Sequence, residues 1–246
     1  MRNVKTRCLR GAILGATLLG IEALVIQSAA YRLDAAETRL TPIERAKLCV
    51  TEGAIEELSG RRLLVSAPKM RAFLTAATTP LVEARVTYQG PTEQAARLGS
   101  GEMRRQFGLK LRAQDGCNLV YAMWRIDPES KLVVSVKRNP GMSRSSECGN
   151  RGYTNIKARR SSPIPRMNPG ESHTLRAEMN GSEMRVSVDG RAVWEGDVGP
   201  EALSLNGPVG VRTDNGRFQF ELFAEELPRN APATASPCRE DSGWSE

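Results

Sequence analysis

From Arg62 onward, apolar residues recur at every second position in short runs, which is the period of half-buried strands and not of helices. Eleven such runs predict strands over 63–67, 81–89, 106–114, 118–126, 131–138, 153–159, 173–179, 184–188, 191–195, 209–213 and 217–225. In the last of these, Phe218, Phe220 and Leu222 alternate with Arg217, Gln219 and Glu221, so one face is core and the other wet. Gly, Pro, Asn and Asp fill the gaps between runs, and Asp189-Gly190 is suited to a tight hairpin turn with positive φ, as is Asn215 before Gly216. Short punctuated strands predict an all-β antiparallel sandwich or barrel instead of a parallel α/β sheet. Residues 90–105 are expected to form a longer loop with a turn of helix.

The two ends of the chain have other patterns. Arg2, Lys5, Arg7 and Arg10 precede an apolar run from Gly11 to Tyr31, the arrangement of an export signal. Two forms stay open: a cleaved signal peptide with Ser28-Ala29-Ala30 as small-residue cleavage context, or an uncleaved membrane anchor. The run is long enough for the roughly 30 Å hydrocarbon core. Glu22 in its middle opposes insertion by about 3 kcal/mol. In either form, residues 32–246 are expected outside the cytoplasm, because the basic residues precede the span. Thr41-Pro42-Ile43-Glu44 has the makings of a helix start, a hydroxyl cap with Pro at the first helical position and Glu to complete a capping box. A short helical stalk is therefore expected over 32–59, ahead of a sandwich domain over 60–228. Residues 229–246 have no periodicity and are expected to be an unstructured tail.

Composition sharpens the compartment and the partner. The 246 residues are 40% hydrophobic and 26% charged, with a net charge of +7. Within 60–228 there are 25 basic against 18 acidic side chains, so the excess belongs to the sandwich and would attract anions. Cys8 lies in the basic flank, which leaves Cys49, Cys117, Cys148 and Cys238, an even set that suggests disulfides in an exported chain. Cys117 and Cys148 flank the hairpin expected over 118–138 and are expected to pair at its edge, with Cys49 joined to Cys238. With no CxxC spacing and a single histidine, a zinc site is not expected.

Two passages resemble the concanavalin A-like (laminin G-like) domains. One is Gly108-Leu-Lys-Leu-Arg-Ala-Gln-Asp-Gly116 followed by Asn118-Leu-Val-Tyr-Ala-Met-Trp124. The other runs from His173-Thr-Leu-Arg-Ala-Glu through Met184-Arg-Val-Ser-Val-Asp-Gly190 and Trp194 to Gly207-Pro-Val-Gly-Val-Arg-Thr-Asp-Asn215 and Phe218 to Phe223. The resemblance covers roughly residues 62–226 and implies a jelly roll of two antiparallel sheets. Its motifs are turn and core residues, so they speak for fold and say little about ligand. The resemblance also allows calcium at rim loops, where Asp189, Asp197 and Asp214 are read as turn-forming acids without EF-hand spacing. No other cofactor is implied.

Catalytic chemistry finds little support in the residues. Laminarinase-like relatives of this fold carry acids on alternate positions of one strand, as two-carboxylate glycoside cleavage requires. Glu195-Gly-Asp197-Val-Gly-Pro-Glu201 departs from that pattern, because the last Glu is one residue too far and Gly199-Pro200 breaks the strand. His173 has no nucleophile or acid at a catalytic spacing, and no Walker loop, HExxH, GxSxG or GxGxxG occurs.

The informative pattern is a set of cations on the central strands. If 106–114, 118–126 and 131–138 are neighbours, then Lys110, Arg112, Tyr121, Arg125, Ser135 and Lys137 share one face on which those strands carry no acid. Such a face is either simply solvated or binds an anion. The function this supports is a non-catalytic, exported and membrane-tethered binding module of the cell envelope that recognises an anionic or polar glycan. The alternatives are a glycan-cleaving sandwich enzyme or a protein-interaction scaffold. Export argues against nucleic acid as a partner.

Overall fold

The computed structural model describes residues 40–227. In chain order the strands are β1 (Thr41–Pro42), β2 (Leu48–Glu52), β3 (Glu56–Glu57), β4 (Leu63–Val65), β5 (Lys69–Leu74) and β6 (Thr78–Pro91). There follow β7 (Arg105–Leu111), β8 (Leu119–Asp127), β9 (Lys131–Lys137), β10 (Tyr153–Asn155), β11 (Arg160–Ser161) and β12 (Ser172–Asn180). The last four are β13 (Glu183–Val188), β14 (Arg191–Asp197), β15 (Gly210–Asp214) and β16 (Gly216–Glu226). Two helices are short, α1 (Ser145–Cys148) and α2 (Gly199–Leu203).

The strands form two antiparallel sheets. One runs β11-β14-β13-β12-β6-β16-β4-β3, with β1 added beside β16. The other is seven-stranded, in the order β10-β9-β8-β7-β15-β5-β2. Alternation does the layering. Phe107, Leu109 and Leu111 of β7, Val120, Ala122 and Trp124 of β8, and Val134 and Val136 of β9 all point into one core. They meet Val82, Ala84, Val86 and Tyr88 of β6 and Phe218, Phe220 and Leu222 of β16 from the opposite sheet. The Phe107 ring bridges the layers, 5.4 Å from Phe218 and 5.7 Å from Phe220. Each such side chain contributes on the order of 2 kcal/mol by leaving water.

All eleven expected strands are present. Over the described part of the expected stalk no helix forms: residues 41–57 hold β1, β2 and β3, with a 3-10 turn over Arg45–Lys47. The reason is burial. Leu48 is buried in the core and Val50 packs against it, two residues apart, as a strand edge requires, while Ile43 and Ile55 are buried beside them. Gly53 and Gly60, both with positive φ, end the two short runs that a helix would have joined. Strand β5, between Ser66-Ala67-Pro68 and Thr75, was not expected either.

Cys117 and Cys148 are joined, with Cα atoms 5.9 Å apart. Cys49 is also disulfide-bonded. The partner expected for it, Cys238, lies outside the described residues, as do the 1–31 export segment and the 229–246 tail. Among the described residues no helix is long and apolar enough to cross a membrane.

Candidate ligand-binding face

The seven-stranded sheet turns one side to the core and the other outward, and the outward side carries the expected cations. Register places Lys110, Tyr121 and Ser135 directly abreast on β7, β8 and β9. Arg125 lies on the same side of β8 as Tyr121, and Lys137 on the same side of β9 as Ser135.

Five of the six expected residues are brought together, and their roles differ. Tyr121, Arg125 and Ser135 line a cavity of about 190 Å³ on this face. Lys137 lines an adjoining cavity of about 130 Å³, where its Nζ donates to the Gly116 carbonyl at 3.0 Å and stands 5.1 Å from the Tyr153 ring. Lys110 is fully buried, with Nζ 3.8 Å from the Phe73 ring centre, so it forms floor and not lining. Arg112 leaves the set. Strand β7 ends at Leu111, Arg112 adopts a left-handed φ of 46°, and its Nη1 donates to the Leu205 carbonyl. A backbone out of the β region breaks the alternation that had placed it beside Lys110.

The expectation of an acid-free face is also corrected. It held for β7, β8 and β9, but β15 lies between β7 and β5 and ends in Asp214, which is fully buried and is no rim-loop acid. Its Oδ1 accepts from Arg71 Nη2 at 2.7 Å, and its Oδ2 accepts from Gln106 Nε2 at 2.6 Å and Arg212 Nε at 2.9 Å. Burial pushes the Asp214 carboxyl up, but Arg212, Arg71 and the Gln106 bond outweigh it and hold the group below the ordinary aspartate range. Arg71 is further tied to the Thr213 carbonyl at 2.8 Å. One carboxylate thus anchors two arginines beneath the cavity.

The remaining lining comes from residues that alternation on three strands could not reveal. Arg212 of β15 lies 5.3 Å from the Tyr121 ring centre and within 3.4 Å of the Tyr153 hydroxyl. Tyr121 and Tyr153 stack with centroids 6.0 Å apart and planes 24° from parallel, and Tyr153 remains 36% exposed. Arg104 comes from the 92–104 loop, which bears no periodic signal. It pairs with Glu102 of the same loop. Burial and the charges of Arg125 and Arg212 push its guanidinium below the ordinary arginine value. Burial lowers Arg125 similarly, and its buried Nε has no hydrogen-bond partner among the described residues. Gln106 Oε1, buried in the same lining, likewise has none.

The cavity therefore presents three guanidinium groups, one buried acceptor and an exposed tyrosine ring. Two loops wall it. The 98–100 turn supplies Leu98 and Ser100, and the segment after α1 supplies Asn150. The Cys117–Cys148 disulfide ties the latter segment to the β7–β8 turn.

Other candidates do not assemble. A larger hollow of about 530 Å³ on the opposite sheet is lined by acids and bases that pair with one another, Arg159 with Glu183 at 2.7 Å and Arg185 with Glu195 at 3.5 Å. Glu195 also pairs with Arg160, Asp197 Oδ1 accepts from the Gly199 amide at 2.7 Å, and Glu201 is exposed on α2. His173 Nδ1 is 2.8 Å from Asp189 Oδ2, and its ring packs 5.2 Å from Trp124. Among the described residues no three His, Cys, Asp or Glu side chains converge on a cation position.

The two packed antiparallel sheets form a β-sandwich. The carbohydrate-binding module CBM66 from Bacillus subtilis superposes with a TM-score of 0.52 at 13% identity, over 74% of this chain and 96% of that one. Two others align less well. Domain 4 of AbnA, a GH43 extracellular arabinanase from Geobacillus stearothermophilus in complex with arabinotriose, gives 0.42 at 10% identity, over 74% and 84% of the two chains. The galectin LEC-6 of Caenorhabditis elegans gives 0.40 at 12% identity, over 70% and 100%. At 13% identity the likeness to CBM66 is one of fold alone. No family model and no curated protein matches the sequence.

Proposed function

We propose that the chain is an exported, non-catalytic binding module that takes an anionic glycan on the outer face of its seven-stranded sheet. The observation that carries this is a pair of buried atoms without partners in one cavity. Arg125 Nε is a donor that asks for an anion, and Gln106 Oε1 is an acceptor that asks for a hydroxyl. An acidic sugar offers both, and Tyr153 beside them offers a ring on which its apolar face can stack. A carboxylate would also offset the repulsion among Arg104, Arg125 and Arg212. The fold shared with a carbohydrate-binding module supports the reading. The module acts outside the cytoplasm, tethered or released according to the fate of residues 1–31.

The test is calorimetric titration of the full chain with acidic and neutral oligosaccharides at two salt concentrations. Arg125→Gln should weaken binding of the acidic ligand about tenfold and flatten its salt dependence, because the lost term is charge pairing. Tyr153→Ala should weaken binding at both salt concentrations alike. Acidic binding unchanged in both variants would overturn the assignment.

A further inference from the structure

The cavity on the outer face does not stand alone. The adjoining one of about 130 Å³ shares Leu98, Asn150, Tyr153 and Arg212 with it, and a third hollow of about 340 Å³ shares Arg104 and Arg125. The three are therefore continuous. One register row runs along them, from Lys69 of β5 through Asp214, Gln106 and Arg125 to Lys131 of β9. Lys69 lines the first cavity, Gln106 and Arg125 the middle one, and Arg125 and Lys131 the third. Four strand spacings, about 19 Å, separate the two lysine positions, which is longer than one sugar ring. A wall follows the same line: the 97–104 loop gives Leu98 and Gly99 to the first cavity, Ser100 and Arg104 to the middle one, and Arg97 and Met103 to the third.

The chemistry repeats along this line. Arg71 and Arg212 are set aside in the comparison, because Asp214 engages both. In the first cavity Lys69 and Lys137 then stand against Glu52, beside the Tyr153 ring. In the middle one Arg104 and Arg125 stand against no acid among the described lining residues, with Tyr153 again at hand. In the third Arg97, Arg104, Arg125 and Lys131 stand against Glu102 and Glu129, and Met103, 43% exposed, joins Pro128 as apolar surface. Each cavity thus sets a cation excess next to an apolar surface. One acidic sugar pairs its carboxylate with the former and rests a ring face on the latter. A ligand with a single anion would answer one cavity and leave the mutual repulsion in the other two.

We propose that the ligand is a stretch of a linear polysaccharide with acids on successive units, laid across the strands so that it fills all three cavities between Lys69 and Lys131. This rests on the glycan reading above and adds to it the length, the direction and the repeating charge of the ligand.

Calorimetric titration of the full chain with galacturonate and mannuronate oligomers, from monomer through dimer and tetramer to hexamer, tests it. In at least one series affinity should rise several-fold from dimer to hexamer. Lys69→Gln and Lys131→Gln, at the two ends of the row, should each lower hexamer affinity several-fold and dimer affinity by less. Equal affinity of dimer and hexamer in the native chain overturns the extended ligand and leaves the glycan reading standing; this comparison decides without any variant. Equal losses at both lengths in the two lysine variants also overturn it, because the end positions would then be no more important to a long ligand than to a short one. No binding of either series at any length overturns the glycan reading, and the extended ligand with it.

Discussion

The side-chain amide of Asn215 donates to the Arg104 carbonyl at 2.9 Å, so the residue that turns β15 into β16 also fixes a cation lining the outer-face cavity. The same amide donates to the Ala96 carbonyl at 2.9 Å, and its Oδ1 accepts from the Ala96 amide at 2.7 Å. One side chain thereby pins both ends of the loop that carries Leu98 and Ser100 over the face. Asn215 can do this because it tolerates a left-handed backbone, here with φ 54°.

Asn215→Gly separates the two roles, since it keeps the turn and deletes the three bonds. Hydrogen exchange at the Ala96 amide should accelerate at least tenfold, by the loss of about 1 kcal/mol per bond. Ligand affinity should fall several-fold while the melting curve stays cooperative. Native-like protection at Ala96 would mean that the loop is held by other contacts.

The Cys117–Cys148 disulfide closes a loop of 31 residues. Replacing both by Ser should cost about 3–4 kcal/mol in the chain-entropy account, seen as a lower urea midpoint. A midpoint unchanged from the native chain would show that contacts around Asn118 already restrain the loop.

Asp214 sets a pH dependence. Its carboxyl is held below the ordinary aspartate value of 3.8, so its contribution is present above that pH and is lost as pH falls through the depressed value. Asp115 has the opposite sign, because burial raises it and its contribution diminishes as pH rises past 3.8. Asp214→Asn should remove part of the acid-side slope of stability against pH. At neutral pH it should cost about 3 kcal/mol, since buried Arg71 loses the carboxylate 2.7 Å from its Nη2. An identical acid slope in the variant would assign the sensitivity to other carboxylates.

Gly210 of β15 pairs with Phe73 of β5 on one side and Lys110 of β7 on the other, and a Cβ there would come within 2.3 Å of the Ala72 carbonyl oxygen. Gly210→Ala should therefore separate β5 from β15 and destabilise the fold by about 2 kcal/mol or more, measured by thermal unfolding. A neutral effect would show that the sheet can flex at this point.

Period-two alternation made eleven strands of the sandwich legible from residue 62 onward, though not β5 or β11, and with them the shared face of Lys110, Tyr121, Arg125, Ser135 and Lys137. It could not say which strands lie side by side across the chain. The insertion of β15 between β5 and β7 brings Arg212, Asp214 and Arg71 into the same face, a non-local pairing that no local pattern encodes. Arg104 sits in a loop where alternation has no meaning. Arg112 obeyed the pattern in sequence and escaped it through one left-handed residue. At 41–58, a good helix-capping sequence was overridden by the burial of Leu48, Ile43 and Ile55 against the core.

The buried Asp214 cluster couples two properties that the sheet otherwise keeps apart. The outward side chains that stay partly exposed, among them Arg104, Arg125 and Tyr153, could be exchanged without disturbing the core beneath. Arg212 cannot be exchanged so freely, because it shares the Asp214 carboxylate with Arg71 and Gln106. A variant evolved or engineered toward a cationic ligand would have to replace all four residues together. On the reading proposed above, a preference for anions would be inherited with the fold, and drift in specificity should proceed through Arg104, Arg125 and Tyr153 first.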